Sequence, residues 1–184
     1  SSFFNCDEHP MDVAGKFNIP YFELSHDDDK IADIIDEYSI DLGVIAGARV
    51  LKDKIIKLFD YGVVNFHPAL LPECRGLDSM FWSIYKDLPL GVTSHLINEK
   101  IDCGKLILKS KVQILSNDDL FSVNKKIYNL QLDLIEPTLY KLLSNCELTD
   151  LDDSTEYNSY MPELLQKKVM QKLVGYINNF SHEN

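Results

Sequence analysis

The chain has 184 residues, a length that fits a single domain with a substantial buried core. Its hydrophobic content of 45% and charged content of 26% are ordinary for a globular protein, and no apolar stretch approaches the roughly 18–20 residues of a membrane span. A formal net charge of −11 argues against a broad nucleic-acid surface or attraction to an anionic membrane, but it is compatible with a local site for one phosphorylated metabolite.

The first half of the chain alternates short apolar strands with helical stretches. Residues 19–24 are predicted to form a strand, and residues 26–29, a histidine and three aspartates, offer a cap and acidic groups for the helix that follows. Residues 41–46 are a nearly continuous apolar run, typical of a strand buried on both faces. A helix over residues 51–59 and a strand over residues 63–67 complete a βαβαβ pattern. This pattern predicts an α/β fold with a mostly parallel sheet flanked by helices.

The second half has a different pattern. Residues 77–85 fit a helix, and the strands predicted over residues 91–97 and 105–114 form a hairpin. An amphipathic helix is predicted over residues 118–143, where Pro137 kinks or divides it. The acidic residues that follow have the composition of a solvated linker, and residues 162–177 fit a terminal helix.

The cysteines and histidines are scattered along the chain. No two cysteines have CxxC spacing, and no two histidines have the spacing of a zinc finger or an HExxH motif. We therefore expect reduced thiols, a cytoplasmic location and no bound metal. The cysteines are Cys6, Cys74, Cys103 and Cys146.

Asn65 and His67 are the first candidates for chemistry, because they end a predicted strand and share one of its faces. Open α/β sheets usually place their sites at the carboxyl ends of strands. With Asp102, which follows later, they supply an amide, an imidazole and a carboxylate. This set can stabilise the oxyanion of an acyl transfer and move a proton. The alternative is that Asn65 and His67 hold a loop and that Asp102 forms an Asx turn before Gly104.

Several spaced motifs resemble the formyltransferase family that uses 10-formyltetrahydrofolate. That family includes glycinamide ribonucleotide transformylase, methionyl-tRNA formyltransferase and the sugar N-formyltransferases. The resemblance covers about residues 3–145 and implies a Rossmann-like formyltransferase domain. The matching motifs are VIAGARVL at 44–51, NFHPALLP at 65–72, RG at 75–76, GVTSH at 91–95 and IDCG at 101–104.

The resemblance implies roles for individual residues. Asn65, His67 and Asp102 match the catalytic residues of the family, and Asp102 would pair with the histidine. The formyl donor would be 10-formyltetrahydrofolate, with its pterin held largely by backbone groups. The residues that match the pterin-binding loops are Arg49, Val50, Leu51, Ile97, Asn98 and Ile101.

Other residues near these motifs have more than one interpretation. Arg75, beside Gly76, can bind an acceptor phosphate through charge-assisted hydrogen bonds, or it can stabilise its own loop. His95 alternates with buried strand positions, which favours a core histidine. Trp82 is expected to pack in the core, or to border the acceptor pocket.

The beginning of the chain departs from the family pattern. The family starts with a strand and a loop that often contacts the acceptor phosphate, whereas residues 3–5 resemble its second strand. We therefore expect that ~50 residues are absent upstream, judged against a βαβ unit and its entry strand. We assign residues 1–148 to the formyltransferase catalytic domain and residues 149–184 to a carboxyl-terminal linker and helix.

The acceptor is predicted from the loop after the catalytic histidine. The residues Cys74-Arg75-Gly76, followed by Phe81-Trp82, resemble the sugar and tRNA branches of the family, and the short acidic carboxyl terminus argues against tRNA. A nucleotide-linked amino sugar is therefore the expected acceptor. The alternatives are glycinamide ribonucleotide and a non-catalytic, folate-binding protein. No nucleic-acid or membrane partner is expected, and the hairpin and the terminal helix offer surfaces for a homodimer.

Overall fold

The computed structural model describes residues 8–45, 50–144 and 146–181. Its strands form a five-stranded central sheet and a separate two-stranded sheet. The strands are β1 (Gly43–Ile45), β2 (Val63–His67), β3 (Arg75–Gly76), β4 (Gly91–Leu96), β5 (Lys105–Lys111), β6 (Thr149–Asp150) and β7 (Tyr157–Asn158).

The central sheet has the strand order β1-β2-β4-β5-β6, and β3 pairs with β7 in the small sheet. β1 and β2 are parallel, whereas β4, β5 and β6 continue the sheet in antiparallel pairings. The β4–β5 pair confirms the predicted hairpin. The α/β fold class is confirmed, and among the described strands of the central sheet its parallel part is the β1–β2 pair.

Helices surround this sheet. They are α1 (Pro10–Lys16), α2 (Lys30–Tyr38), α3 (Asp53–Ile56), α4 (Ser79–Tyr85), α5 (Leu120–Asp133), α6 (Ile135–Leu143) and α7 (Glu163–Ser181). The predicted helix over residues 118–143 divides at Leu134, and Pro137 lies in the first turn of α6, where a missing N–H is tolerated. None of the helices in the described ranges is long and apolar enough to cross a membrane.

The main core lies where α5 packs on β4, α6 packs on β5 and α7 packs on α4. Val64 of β2, Val92 of β4 and Ile107 of β5 are 0% exposed at its centre, with Ile84 and Val169 from the helices. Complete burial of such a side chain contributes about 1.5–3 kcal/mol. The carboxyl end of β2 and the adjoining part of β4 therefore rest on a firmly packed base.

Two predictions for the amino-terminal third are wrong. Residues 19–24 form no strand, and Ile19 and Phe22 are 58% and 47% exposed. A strand needs a neighbour that accepts its backbone hydrogen bonds, and no described strand pairs with these residues. The strand over residues 41–46 is not buried on both faces, because β1 is an edge of the described sheet and Val44 is 50% exposed.

The carboxyl-terminal residues are held along the domain. β6 pairs with β5, and the backbone N–H of Leu151 donates to the carbonyl of Gly104 at 2.8 Å. The predicted terminal helix is confirmed as α7. The acidic side chains of residues 150, 152 and 153 are exposed, as expected for a solvated segment, but the backbone around them is tied to β5 and its preceding loop.

Candidate active site

β2 and β4 bring the first catalytic candidates together. Asn65 and His67 lie on the same face of β2, and their partners across the antiparallel pairing are His95 and Thr93 of β4. The Thr93 hydroxyl donates to the carbonyl of Ala69 at 2.8 Å and accepts from the backbone N–H of Leu71 at 3.0 Å. The loop that follows His67 is therefore fastened to β4, which fixes the direction of the imidazole.

The His67 ring lies between two acceptors. Its Nε2 is 2.9 Å from the carbonyl oxygen of Cys74, and its Nδ1 is 3.3 Å from Oδ1 of Asp102. Carbonyl and carboxylate oxygens only accept, so an imidazolium with both nitrogens protonated satisfies both contacts. The ring is nearly buried, at 4% exposed, which strengthens its interaction with the carboxylate.

Asp102 is positioned by a tight turn. Its φ of +51° and the φ of +99° at Gly104 are left-handed, and a Cβ at Gly104 would lie 2.1 Å from the carbonyl oxygen of Leu96. The second carboxylate oxygen accepts a 2.7 Å hydrogen bond from the backbone N–H of Gly76. The two carboxylate oxygens therefore face Gly76 and His67, and the backbone turn aims the carboxylate at His67.

Asn65 is oriented by His95. The His95 Nδ1–H donates to the carbonyl of Cys103 at 2.9 Å, so Nε2 is free to accept from the Asn65 amide at 3.2 Å. His95 is 0% exposed, as predicted for a core histidine. Burial lowers the pKa of its imidazole, an effect that the Cys103 carbonyl partly opposes. His95 lies directly across the β2–β4 pairing from Asn65, a contact that sequence spacing does not reveal.

A cavity of about 360 Å³ opens in front of these residues. Its size fits a small-molecule ligand. Asn65, His67 and Asp102 line it together with five of the six predicted pterin-binding residues, and Arg49 lies outside the described residues. The five are Val50, Leu51, Ile97, Asn98 and Ile101.

Sequence reasoning missed several residues of this cavity, and two of them, Gln131 and Tyr157, lie far from the motifs in sequence. Gln131 of α5 lines it, and its side-chain amide donates to the carbonyl of Phe66 at 2.7 Å. Tyr157 of β7 lines it from a segment that follows the predicted catalytic domain. Both come from parts of the sequence distant from the catalytic motifs, so only the tertiary fold places them here.

Arg75 is 7% exposed, and its guanidinium is directed into the protein. Nη1 donates to the carbonyls of Asp153 and Thr155, and Nη2 donates to the carbonyl of Ile101, each at 2.9 Å. Of the two roles predicted for Arg75, these hydrogen bonds favour loop stabilisation over phosphate binding. Trp82 likewise uses its indole N–H within the chain, donating to the carbonyl of Ser159 at 2.8 Å.

The fold and the site together define an α/β protein with an amide, an imidazole and a carboxylate converging on one cavity, as a group-transfer enzyme requires. The sequence profile of the formyl transferase family matches residues 7–137. This chain belongs to that family, whose members transfer formyl groups.

Individual relatives show how the similarity is distributed. This chain is 30% identical to methionyl-tRNA formyltransferase of Caldanaerobacter subterraneus subsp. tengcongensis over 135 residues, which are 73% of the chain. Over 101 residues, 54% of the chain, it is 35% identical to phosphoribosylglycinamide formyltransferase of Haemophilus influenzae. The chain spans 41% and 48% of the lengths of these relatives.

A solved structure has a similar fold over most of the chain. The formyltransferase PseJ from Anoxybacillus kamchatkensis was crystallised with UDP-4,6-dideoxy-4-formamido-L-AltNAc and tetrahydrofolate. It superposes with a TM-score of 0.65 at 20% identity, covering 90% of this chain and 92% of its own. At that identity the likeness supports the fold.

Proposed function

We propose that this protein transfers a formyl group from 10-formyltetrahydrofolate to a primary amine. The observation that carries the proposal is the single cavity lined both by Asn65, His67 and Asp102 and by the five described residues of the predicted pterin loops. The chemistry and the donor site are thus adjacent. Family membership supplies the reaction class.

The proposed mechanism gives a step to each of the three candidate catalytic residues. The acceptor nitrogen attacks the formyl carbon, and the carbonyl π electrons move to its oxygen. Asn65 donates a hydrogen bond to that oxyanion, and the nearby positive charge of the His67 imidazolium, whose N–H groups are directed at Cys74 and Asp102, stabilises it electrostatically. Asp102 supports the imidazolium and accepts the proton lost by the nitrogen, directly or through water. Collapse of the intermediate breaks the bond to N10 of the folate, which takes up a proton as tetrahydrofolate leaves.

We propose a nucleotide-linked amino sugar as the acceptor. The Arg75-Gly76 motif resembles that of the sugar branch, and a sugar product is bound in the PseJ structure, whose fold is similar. Gly76 of this motif lines the cavity. Glycinamide ribonucleotide is the second candidate, favoured by the 35% identity to the Haemophilus influenzae enzyme.

The test is formyl transfer by the purified protein. Tetrahydrofolate release and product mass are measured with a nucleotide-linked 4-amino sugar, glycinamide ribonucleotide and methionyl-tRNA as acceptors. We expect transfer to the sugar, and kcat about 1,000-fold lower for His67→Ala and Asp102→Asn. Tyr140→Phe, at a side chain that is 79% exposed on α6, is the matched control and should be fully active. If the wild type forms no formylated product with any acceptor, the proposed function is wrong.

A further inference from the structure

A segment outside the matched family region lies against the catalytic loops. We call residues 153–161 the strap. Within it, β7 pairs in parallel with β3, and the backbone N–H of Leu77 donates to the carbonyl of Asn158 at 2.8 Å. The approach is close, because a Cβ at Gly76 would lie 2.1 Å from that carbonyl oxygen. The strap is therefore built into this side of the site.

Arg75 joins the strap to the loop that carries Asp102. One guanidinium nitrogen binds two strap carbonyls, those of Asp153 and Thr155, and the other binds the carbonyl of Ile101. Ile101 immediately precedes Asp102. Hydrogen bonds from a buried cation are among the stronger ones in proteins, and the planar fork of arginine holds two partners in fixed directions.

A second contact joins the residue after Arg75 directly to the Asp102 carboxylate. The backbone N–H of Gly76, the residue after Arg75, donates to Oδ2 of Asp102 at 2.7 Å. The Asn158 side chain holds this stretch by donating to the carbonyl of Arg75 at 2.7 Å. Asp102 is thus held from two directions. The Arg75 guanidinium holds the Ile101 carbonyl, and the strap, through Asn158, holds the backbone that presents the Gly76 N–H.

We infer that Arg75 is a positioning residue for Asp102 and that it acts by clamping the strap onto the Asp102 loop. The inference rests on the proposed function, because Asp102 is taken as the carboxylate that pairs with His67. A carboxylate displaced by about 1 Å loses much of its effect on the reaction, up to roughly 100-fold. Ile101 and Tyr157 belong to the clamped segments, but most of the cavity wall does not, so KM is expected to change less than kcat.

The experiment compares Arg75→Met and Arg75→Lys with Trp82→Phe. Trp82→Phe removes a hydrogen bond to the strap at Ser159, away from Asp102, and so controls for general loosening of the strap. We expect Arg75→Met to lower kcat about 30-fold with KM changed less than about threefold. Its pH–rate profile should take the shape found for Asp102→Asn. Arg75→Lys should recover part of kcat, because an ammonium keeps the charge but not the fork.

Backbone hydrogen exchange gives a readout that does not need activity. The Gly76 amide is protected by the Asp102 carboxylate, so its exchange should be about tenfold faster in Arg75→Met than in Trp82→Phe, in line with a lost hydrogen bond of about 1.4 kcal/mol. Equal exchange in the two variants overturns the inference, even if the wild type proves inactive and the proposed function fails. In an active enzyme, wild-type kcat and pH profile in Arg75→Met also overturn it.

If Arg75→Met does not fold, Thr155→Val tests the same inference. Thr155→Val keeps the shape of the side chain and removes the hydroxyl that fixes the strap to the carbonyl of Pro72 at 2.8 Å. It should reproduce the direction of the Arg75→Met effects on kcat and on Gly76 exchange at smaller size. A Thr155→Val protein that matches the wild type in both measurements contradicts the inference.

Discussion

The described residues 8–62 and 63–181 are packed very differently. In the first region the buried apolar side chains are Ile35, Ile55 and Ile56, whereas every buried member of the main core cluster belongs to the second. Asn65, His67 and Asp102 all stand on the second region. Val50 and Leu51, on one wall of the cavity, belong to the first. The proposed catalytic residues are thus anchored in the densely packed region, while part of the proposed donor site is carried by the sparsely packed one.

The strongest test of this contrast removes an apolar side chain from each region. Ile107→Ala, at a side chain that is 0% exposed, should lower the free energy of unfolding by about 2–5 kcal/mol. Phe22→Ala removes a larger side chain that is 47% exposed, and it should change that free energy by less than about 0.5 kcal/mol. Urea unfolding followed by circular dichroism measures both. Similar losses in the two variants would show that the amino-terminal region is part of the same cooperative core.

The attachment of the strap is tested at a glycine. Gly76→Ala places a Cβ 2.1 Å from the Asn158 carbonyl oxygen at a φ of +100°, so strain and steric overlap add to a destabilisation of about 3 kcal/mol. Gly62→Ala is the matched control, because its φ is +81° but the nearest atom is 3.4 Å away in a side chain. The control should lose about 1 kcal/mol. Equal losses in a thermal melt would mean that the strap yields to the added methyl group.

The pH dependence of stability should originate partly in His95, deep in the packed region. The pKa of His95 is lowered from an ordinary value of 6.5. Below pH 6.5, His95 therefore binds a proton more readily in the unfolded chain than in the folded protein. Stability therefore falls as pH decreases through that value. His95→Gln cannot titrate, and its stability should depend less on pH, by up to about 1.4 kcal/mol per unit. Urea midpoints between pH 7.5 and 5.5 measure the slopes. Parallel slopes would contradict the assignment.

The sequence predicted the features that rest on local patterns. The β1-α3-β2 unit, the β4–β5 hairpin, α7 and the division near Pro137 follow from periodicity and helix-breaking chemistry. The prediction of a strand over residues 19–24 was wrong, because a strand needs a neighbouring strand to pair with and a hydrophobic pattern does not identify that neighbour.

The sequence located the candidate catalytic residues but not the tertiary contacts that orient them. The motifs located Asn65, His67 and Asp102, and the structure brings them to one cavity. The hydrogen bond from Asn65 to His95 depends on the β2–β4 pairing, and Arg75 binds carbonyls about 80 residues away in sequence. Contacts of that separation are fixed by the tertiary fold, so sequence spacing left the role of Arg75 open between two alternatives.

The smallest expected effect comes from replacing a helical glycine by alanine in each of the two regions. A Cβ added at Gly175 in α7 or at Gly15 in α1 meets no atom within 4 Å, so each alanine substitution is sterically free. The buried residues of α7 are Val169, Leu173, Tyr176 and Ile177, so a change in the stability of this helix changes the free energy of global unfolding. None of the residues of α1 is buried. Gly175→Ala should raise the free energy of unfolding by about 0.5–1 kcal/mol. Gly15→Ala should leave the global transition unchanged, since α1 can unfold without opening the core. A matching increase for Gly15→Ala would place α1 in the same cooperative unit as α7.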